Sequence, residues 1–394
     1  MNVLIINAGS SSIKFMVIAM PSENLRAKGI IERIGEKDAI VHYKTDTADI
    51  KEVQHIPDHK VGLQRIAGFL LDAMHGIIKN AAEIDVVGHR VVHGGTTFSN
   101  STLIDVAVKQ KIHELSALAP LHNPHNLEGI ILAEQVFPKA HQVAVFDTAF
   151  HQTIPEKAKK YAIPNEFYKD HGIQLYGFHG TSHKYVSEQA RAYLQKKASK
   201  IITVHLGNGC SITAVANGQS VDHSLGFTPS NGLIMGSRSG DIDHAIIFYL
   251  VHTLGYSLEE VNTLLIKKSG MLGLTGYADL REIQTHAANG DDVCRLALEM
   301  NAYRVKKYIG AYVAVLNGLD ALIFTAGIGE NSSVLRAMIC RDMDYLGIIL
   351  DEGKNREPHK TLREINATDA RVKILVVPTN EELEIAKQAF GLLS

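Results

Sequence analysis

The sequence predicts an α/β protein built from two related half-domains, each with a mixed sheet, around a central cleft. The opening of the chain gives the first sign. Residues 2–7 (NVLIIN) and 13–19 (IKFMVIA) are apolar runs rich in β-branched residues, joined by the short turn AGSSS. That is the pattern of a strand, a turn and a strand. The second sign is the return of this design near the middle of the chain, as IITVHL (201–206), GNG (207–209) and CSITAV (210–215). On the turns alone, two unrelated hairpins fit as well. The third sign is the order of the elements after each unit: strands first, then helices interleaved with strands, which describes an α/β half with a mixed sheet.

Residues 27–56 alternate polar and apolar side chains, which predicts further antiparallel strands. Leu63, Ile66, Leu70 and Met74 have helical spacing and predict a helix within 59–78. A short buried strand at 84–87 precedes GHRVVHGG (88–95). Helices are expected at 106–118 and 123–136, the latter entered through Pro120, His122 and Pro124. A strand at 142–146 ends at Asp147. In the second half a helix spans 182–197, and the GNG unit leads to a long glycine-rich loop, GFTPSNGLIMGSRSGDID (226–243). Ser257 and Glu260 form a capping box for a helix to about Lys268. A long helix at 291–316, a buried strand at 321–325 running into AGIGEN (326–331), and a strand at 372–377 complete this half. The last helix, 380–393, is expected to pack back on the first half. The repeat puts the domain boundary within 150–155, giving domains of residues 1–150 plus 380–394 and of residues 151–379.

Composition narrows the function classes. The chain has 394 residues, 45% hydrophobic and 21% charged, with a net charge of −2. No broad basic surface argues for nucleic acid or an anionic membrane. No apolar run reaches the ~18 residues of a membrane span, and no basic segment precedes the first strand as in a signal peptide. Cys210, Cys294 and Cys340 are odd in number and far apart, which suits a reducing compartment better than a disulfide framework. A cytoplasmic protein is expected.

The residues that carry chemistry stand out against this background. Ten of the 20 histidines lie between His89 and His183. The pairs His89/His93 and His122/His125 have zinc-compatible spacing, but no Cys or Glu completes either set. Arg90 (GHRVVHGG) and Arg238 (GSRSG) sit among glycines, which let a backbone approach a ligand closely. A guanidinium there grips carboxylate or phosphate in a bidentate fork, or else makes a structural ion pair. Asn7, Asp147 and Glu381 fall at or just past apolar strands, where oxygen ligands suit Mg²⁺. An acid at 381 is also what the first turn of a helix favours. Neither a P-loop nor a Rossmann fingerprint occurs. Ser11 to Lys14 matches S-x-x-K without its partner motifs and is a chance match.

Taken together, the segments resemble the acetate kinase family, within the superfamily of acetate and sugar kinases, heat-shock chaperone ATPases and actin. Those that carry the resemblance are NAGSSSIKF, GHRVVHGG, PLHNPHN, VFDTAFH, GFHGTSH, HLGNG, GFTP, MGSRSGDID, AGIGEN and PTNEEL, in family order along nearly the whole chain. The resemblance implies two ribonuclease-H-like α/β domains, the first (1–150 plus 380–394) on the acetate side and the second (151–379) binding nucleotide. It implies reversible, Mg²⁺-dependent, in-line phosphoryl transfer from ATP to acetate, with Mn²⁺ as a possible substitute, and a homodimer. Asn7 and Glu381 would hold the metal, and Lys14 would approach the nucleotide phosphates. Arg90 would bind the substrate carboxylate. Arg238 would act on the transferring phosphoryl group, and His179 would stabilise its equatorial oxygens. Asp147 would orient groups or act as acid or base. The nucleotide would be lined by His205, Leu206, Gly207, Asn208, Gly209, Asp279, Leu280, Arg281, Gly327, Ile328, Gly329, Glu330 and Asn331.

The resemblance also implies a small apolar pocket for the acetate methyl group, formed by Val92, Leu121, Phe178 and Pro229. Propionate-preferring relatives tend to carry a smaller residue where this chain has Val92, so acetate is the expected substrate. One methylene is worth only ~1–3 kcal/mol, so propionate is expected to be poorer and not excluded. Departures from the family pattern cluster around the Arg238 loop: His223 and Leu225, the segment SNGL (230–233) and His244.

Overall fold

In the computed structural model, which describes residues 1–358 and 360–394, the strands form an eight-stranded and a six-stranded mixed sheet. The first holds β1 (Asn2–Ala8), β2 (Ser12–Ala19), β3 (Asn24–Glu32), β4 (Ala39–Lys44), β5 (Asp49–Gln54), β6 (Val86–Val91), β7 (Thr102–Leu103) and β8 (His141–Phe146). Their order is β5-β4-β3-β2-β1-β6-β8-β7. The first five strands pair antiparallel, whereas β1, β6 and β8 run parallel. Successive side chains of a strand face opposite ways, and both faces here are covered. Leu4 and Ile6 pack with Leu63 and Ile66 of the helix His59–Leu70, while Val3 and Ile5 pack with Ile385, Ala386 and Ala389 of the helix Glu381–Gly391. Burial on two faces is why NVLIIN is continuously apolar and not alternating.

The second sheet holds β9 (Lys200–Leu206), β10 (Cys210–Ala216), β11 (Gln219–His223), β12 (Ala321–Thr325), β13 (Arg363–Glu364) and β14 (Lys373–Val376), in the order β11-β10-β9-β12-β14-β13. The series β3-β2-β1-β6-β8 of the first sheet, three antiparallel strands and then two parallel ones, is repeated as β11-β10-β9-β12-β14. The chain divides into two units, Met1–Phe150 with Asn380–Ser394, and His151–Thr379.

Two local expectations are corrected. The helix expected within 59–78 stops at Leu70, because the Asp72 carboxylate accepts from the N–H groups of Met74 and His75 and turns the chain there. Met74 is left 81% exposed. The strand expected at 84–87 is β6, Val86–Val91, so Arg90 stands on a strand between two parallel neighbours. AGIGEN is a one-turn-and-a-half helix, Ala326–Asn331, following β12. Gly88 in β6 has a packing cause: a Cβ there would lie 2.8 Å from Ile385 Cγ2, so glycine lets the last helix rest on the strand.

Candidate active site

In the first unit the side chains expected to act gather at the carboxyl ends of parallel strands, where α/β sheets place their ligands. Asn7 is the penultimate residue of β1 and faces Lys14 across the antiparallel register. Arg90 is the penultimate residue of β6, and Asp147 follows β8, its N–H donating to Val91 O. The guanidinium forks onto the carboxylate: Arg90 Nε lies 3.1 Å from both Asp147 oxygens, and Nη2 lies 2.6 Å from Oδ2. Glu381, first residue of the last helix, stands 4.0 Å from Arg90 Nε. Burial works against the charge on Arg90, but Asp147 and then Glu381 outweigh it and hold the guanidinium firmly protonated. Arg90 Nη1 makes no hydrogen bond among the described residues, so one edge of the fork is left for another anion.

Two acids share this one arginine, and Glu381 has the weaker claim on it. Burial, then repulsion from Asp147 and Glu382, raise the Glu381 carboxyl against the pull of Arg90 and Lys14. A carboxylate held this way is short of positive charge. With the Asn7 amide it fits a hard, largely hydrated divalent cation that takes one or two carboxylates. No cluster of three or more His, Cys, Asp or Glu side chains suited to a metal occurs among the described residues. His89 instead meets Gln142 Oε1 at 2.7 Å, and His93 Nδ1 accepts from the Gly95 N–H.

In the second unit the GNG turn, the Arg238 loop and the AGIGEN helix surround a pocket of about 730 Å³. Leu206, Gly207, Asn208, Asp279, Leu280, Arg281, Gly327, Ile328 and Asn331 line it. His205, Gly209, Gly329 and Glu330 do not. Gly329 packs toward the β9 and β12 backbones, and Glu330 Oε1 accepts from the Thr379 N–H. Asp279 caps the helix Leu280–Ala288 and pairs with Arg281, which holds its carboxyl down at about 2. Cys210 also lines the pocket, but burial pushes its thiol up to about 12, so it is no nucleophile.

Arg238 and His179 converge on the backbone of Gly209. A Cβ at Gly209 would lie 3.3 Å from His179 Cε1, 3.4 Å from Nε2 and 3.8 Å from Arg238 Nη1. Arg238 donates to Pro229 O at 2.7 Å and meets Met235 Sδ at 3.8 Å, with no carboxylate partner among the described residues. Burial lowers its hold on the proton, opposed only by Cys210. A half-buried guanidinium without a counter-ion is a prepared anion site.

His179 has a left-handed backbone (φ 56°), uncommon for a residue with a side chain. Its position is held from the preceding peptide. The Phe178 N–H donates to His223 Nε2 at 3.1 Å, and His151 Nε2 lies 3.0 Å from Phe178 O. An amide only donates and a carbonyl only accepts, so the network assigns His223 the Nδ1–H form, donating to Thr213 Oγ1, and His151 the Nε2–H form. Both rings are buried and kept neutral: His151 falls to about 3 and His223 lies well below the ordinary imidazole range. The His205 ring stacks on His179, centroids 4.4 Å apart.

The four residues expected to receive a methyl group are divided between the units. Val92 and Leu121 belong to the first, where Leu121 is 60% exposed; Phe178 and Pro229 belong to the second, where Phe178 is buried. Sequence reasoning did not find the pocket walls Met235, Met271, Gln284 and Asn301, nor the support for His179 from His151, His183, Ser211 and His223. A signal for the latter was present. Thr203 and His205, then Ser211 and Thr213, are polar positions two apart in otherwise apolar strands, and the register pairs them as Ser211–His205 and Thr213–Thr203. That marks a polar strip on one buried sheet face.

Comparison with known proteins shows which family the chain resembles over its whole length. The Acetokinase family model matches residues 2–387. An acetate kinase of Flavobacterium johnsoniae is 60% identical over 393 residues, covering 100% of both chains. Among solved structures, Porphyromonas gingivalis acetate kinase superposes with a TM-score of 0.95 at 42% identity, covering 100% of both chains. A propionate kinase from Francisella tularensis superposes with a TM-score of 0.93 at 44% identity, covering 99% of each.

Proposed function

Because the chain belongs to the acetokinase family, we propose that it carries the γ-phosphoryl group of ATP to the carboxylate of acetate, reversibly and in line, giving acetyl phosphate and ADP. ATP takes the 730 Å³ pocket of the second unit, with its phosphates at Gly207 and Asn208 and toward the neighbouring Gly209, and its nucleoside against Asp279–Arg281, Gly327, Ile328 and Asn331. The fork from Arg90 to Asp147 leaves Nη1 for the acetate carboxylate, and Asp147 acts by orienting that arginine. No strong base is required, because a carboxyl group with an ordinary value of about 4 is already ionised at neutral pH. Val92, Leu121, Phe178 and Pro229 are assigned to the methyl group. Arg238 and His179 take the equatorial oxygens of the moving phosphoryl group, and Lys14 the nucleotide phosphates. Mg²⁺ held by Asn7 and Glu381 would offset charge on the nucleotide phosphates, and Mn²⁺ suits the same oxygen donors.

The observation that supports this most directly is Arg238: a guanidinium without a carboxylate, beside His179, over the glycine turn of a nucleotide-sized pocket. Phosphoryl transfer asks the protein for positioning and charge neutralisation more than for covalent chemistry. A hydroxamate assay with acetate, propionate and butyrate, run with ATP and with pyrophosphate, tests it. Acetyl hydroxamate with ATP is expected at the highest kcat/KM. Faster propionate turnover, the second reading raised by the Francisella tularensis relative, would reassign the substrate.

We further propose a homodimer. The helix Ala245–His252 (AIIFYLVH) is apolar and has no buried residue, with Ile246 45%, Phe248 58% and Tyr249 56% exposed. Leu254 and Leu258 extend the patch, and an apolar face of this kind marks an association surface. Sedimentation is expected to give twice the chain mass, and Phe248→Asp to give monomer. The three cysteines are free and buried, which supports a cytoplasmic setting.

A further inference from the structure

The ring of His179 meets the interior at the Ser211 hydroxyl. Ser211 Oγ lies 2.9 Å from His179 Nδ1 and 2.7 Å from His183 Nε2; His183 Nδ1 lies 2.6 Å from Thr203 Oγ1. A serine hydroxyl carries one proton, so it donates to one ring and accepts from the other. Burial keeps His183 neutral, with one N–H for its two partners. Two arrangements satisfy every group. In the first, Thr203 donates to His183 Nδ1, His183 Nε2–H donates to Ser211, and Ser211 donates to His179 Nδ1, so a neutral His179 carries its proton on Nε2. In the second each bond reverses, and His179 Nδ1–H donates to Ser211. That suits an imidazolium, which keeps Nε2–H as well. With an imidazolium the two differ by one proton taken from solvent; with a neutral ring the reversed arrangement puts the single proton on Nδ1 and leaves Nε2 without one.

Resting on the phosphoryl-transfer function above, we propose that Ser211, His183 and Thr203 form a reversible hydrogen-bond chain that keeps a proton on His179 Nε2 whether its ring is neutral or charged. Ser211 and His183 are then positioning residues for the reaction. Nε2 belongs to the edge that meets the Gly209 backbone near Arg238, where the phosphoryl oxygens are assigned. Arg238 is a fixed cation in the facing loop. Cys210, His205, His151 and His223 present no negative charge from β10, β9, the segment Ala149–Thr153 and β11. A donor at Nδ1 holds a neutral imidazole in the form that donates from Nε2, and Ser211 supplies one.

The test is the pH dependence of acetyl phosphate formation by the full-length protein, from about pH 6 to about pH 8.5, across the ordinary imidazole range. Wild type is expected to hold kcat as pH rises. Ser211→Ala removes the hydroxyl, so donation from Nε2 is assured only in the charged ring. Its kcat is expected to fall roughly tenfold or more toward pH 8.5, with the KM for ATP within about twofold, a split expected for a group that acts on the transition state. Ser211→Thr is expected to restore the flat profile. A Ser211→Ala profile parallel to wild type would overturn the chain. Should that variant fail to fold, or wild type form no acetyl phosphate, ¹⁵N-histidine NMR of wild type at about pH 8 decides. A proton on His179 Nε2 supports the chain, and one on Nδ1 alone overturns it. Absent acetyl phosphate would refute the assigned reaction separately.

Discussion

Arg90 and Arg238 are the same residue type in opposite electrostatic situations. Arg90 is spoken for, forked onto Asp147 with Glu381 at 4.0 Å; Arg238 has only carbonyl and sulfur contacts. Asp147→Ala is therefore expected to act through Arg90, raising the KM for acetate by at least tenfold as the fork loses its anchor. Removing one partner of a buried pair also costs about 3–5 kcal/mol in stability. An unchanged acetate KM in the folded variant would show that Asp147 does not orient the arginine. Val92→Ala is expected to raise the propionate-to-acetate ratio of kcat/KM by roughly tenfold, the scale of one methylene in an apolar pocket. An unaltered ratio would remove Val92 from the specificity pocket. These side chains were legible because glycines and strand ends surround them. The Arg90–Asp147 fork was not, because no local pattern links two residues on neighbouring parallel strands.

At the scale of elements, position follows from which strand or helix delivers each group. β1, β6 and β8 present Asn7, Arg90 and Asp147 at one edge, and the last helix adds Glu381. That helix rests on β6 only because position 88 has no Cβ. Gly88→Ala is expected to lower stability by ~1–3 kcal/mol through overpacking against Ile385 and to raise the metal concentration needed for half-maximal activity as Glu381 is displaced. Wild-type melting temperature and metal requirement in this variant would contradict the dependence. The strands and most helices could be read from apolar periodicity and capping residues, as with Ser257 and Glu260, whose capping box is present. Misreadings came where tertiary pairing or a side chain overrode the pattern. β6 continues through GHR because two parallel strands flank it, and Asp72 ends the helix that Met74 was expected to extend.

At the scale of the whole molecule, the repeated strand order explains why one sequence offers two sets of ligand-directed residues, and why the turn AGSSS returns as GNG. Burial of histidines is the other global property. His89 and His93 are pushed down to about 4 and His151 to about 3, all chiefly by burial. The unfolded chain takes up a proton near the ordinary value of about 6.5 that the folded chain refuses, so stability is full above that pH and is lost as pH falls toward about 4. The loss approaches 1.4 kcal/mol per pH unit for each histidine. The melting temperature is expected to be nearly level from about pH 7 to about pH 8.5 and to drop steeply below about 6.5. A level profile down to about pH 5 would mean these rings are protonated in the fold. The most direct measurement of the central claim is kcat for acetyl phosphate formation by Arg238→Ala, alongside its thermal melt. A loss of ~10³-fold or more with an unchanged melt is expected for a guanidinium that neutralises the phosphoryl group in flight. A folded variant within a few-fold of wild type would contradict the account.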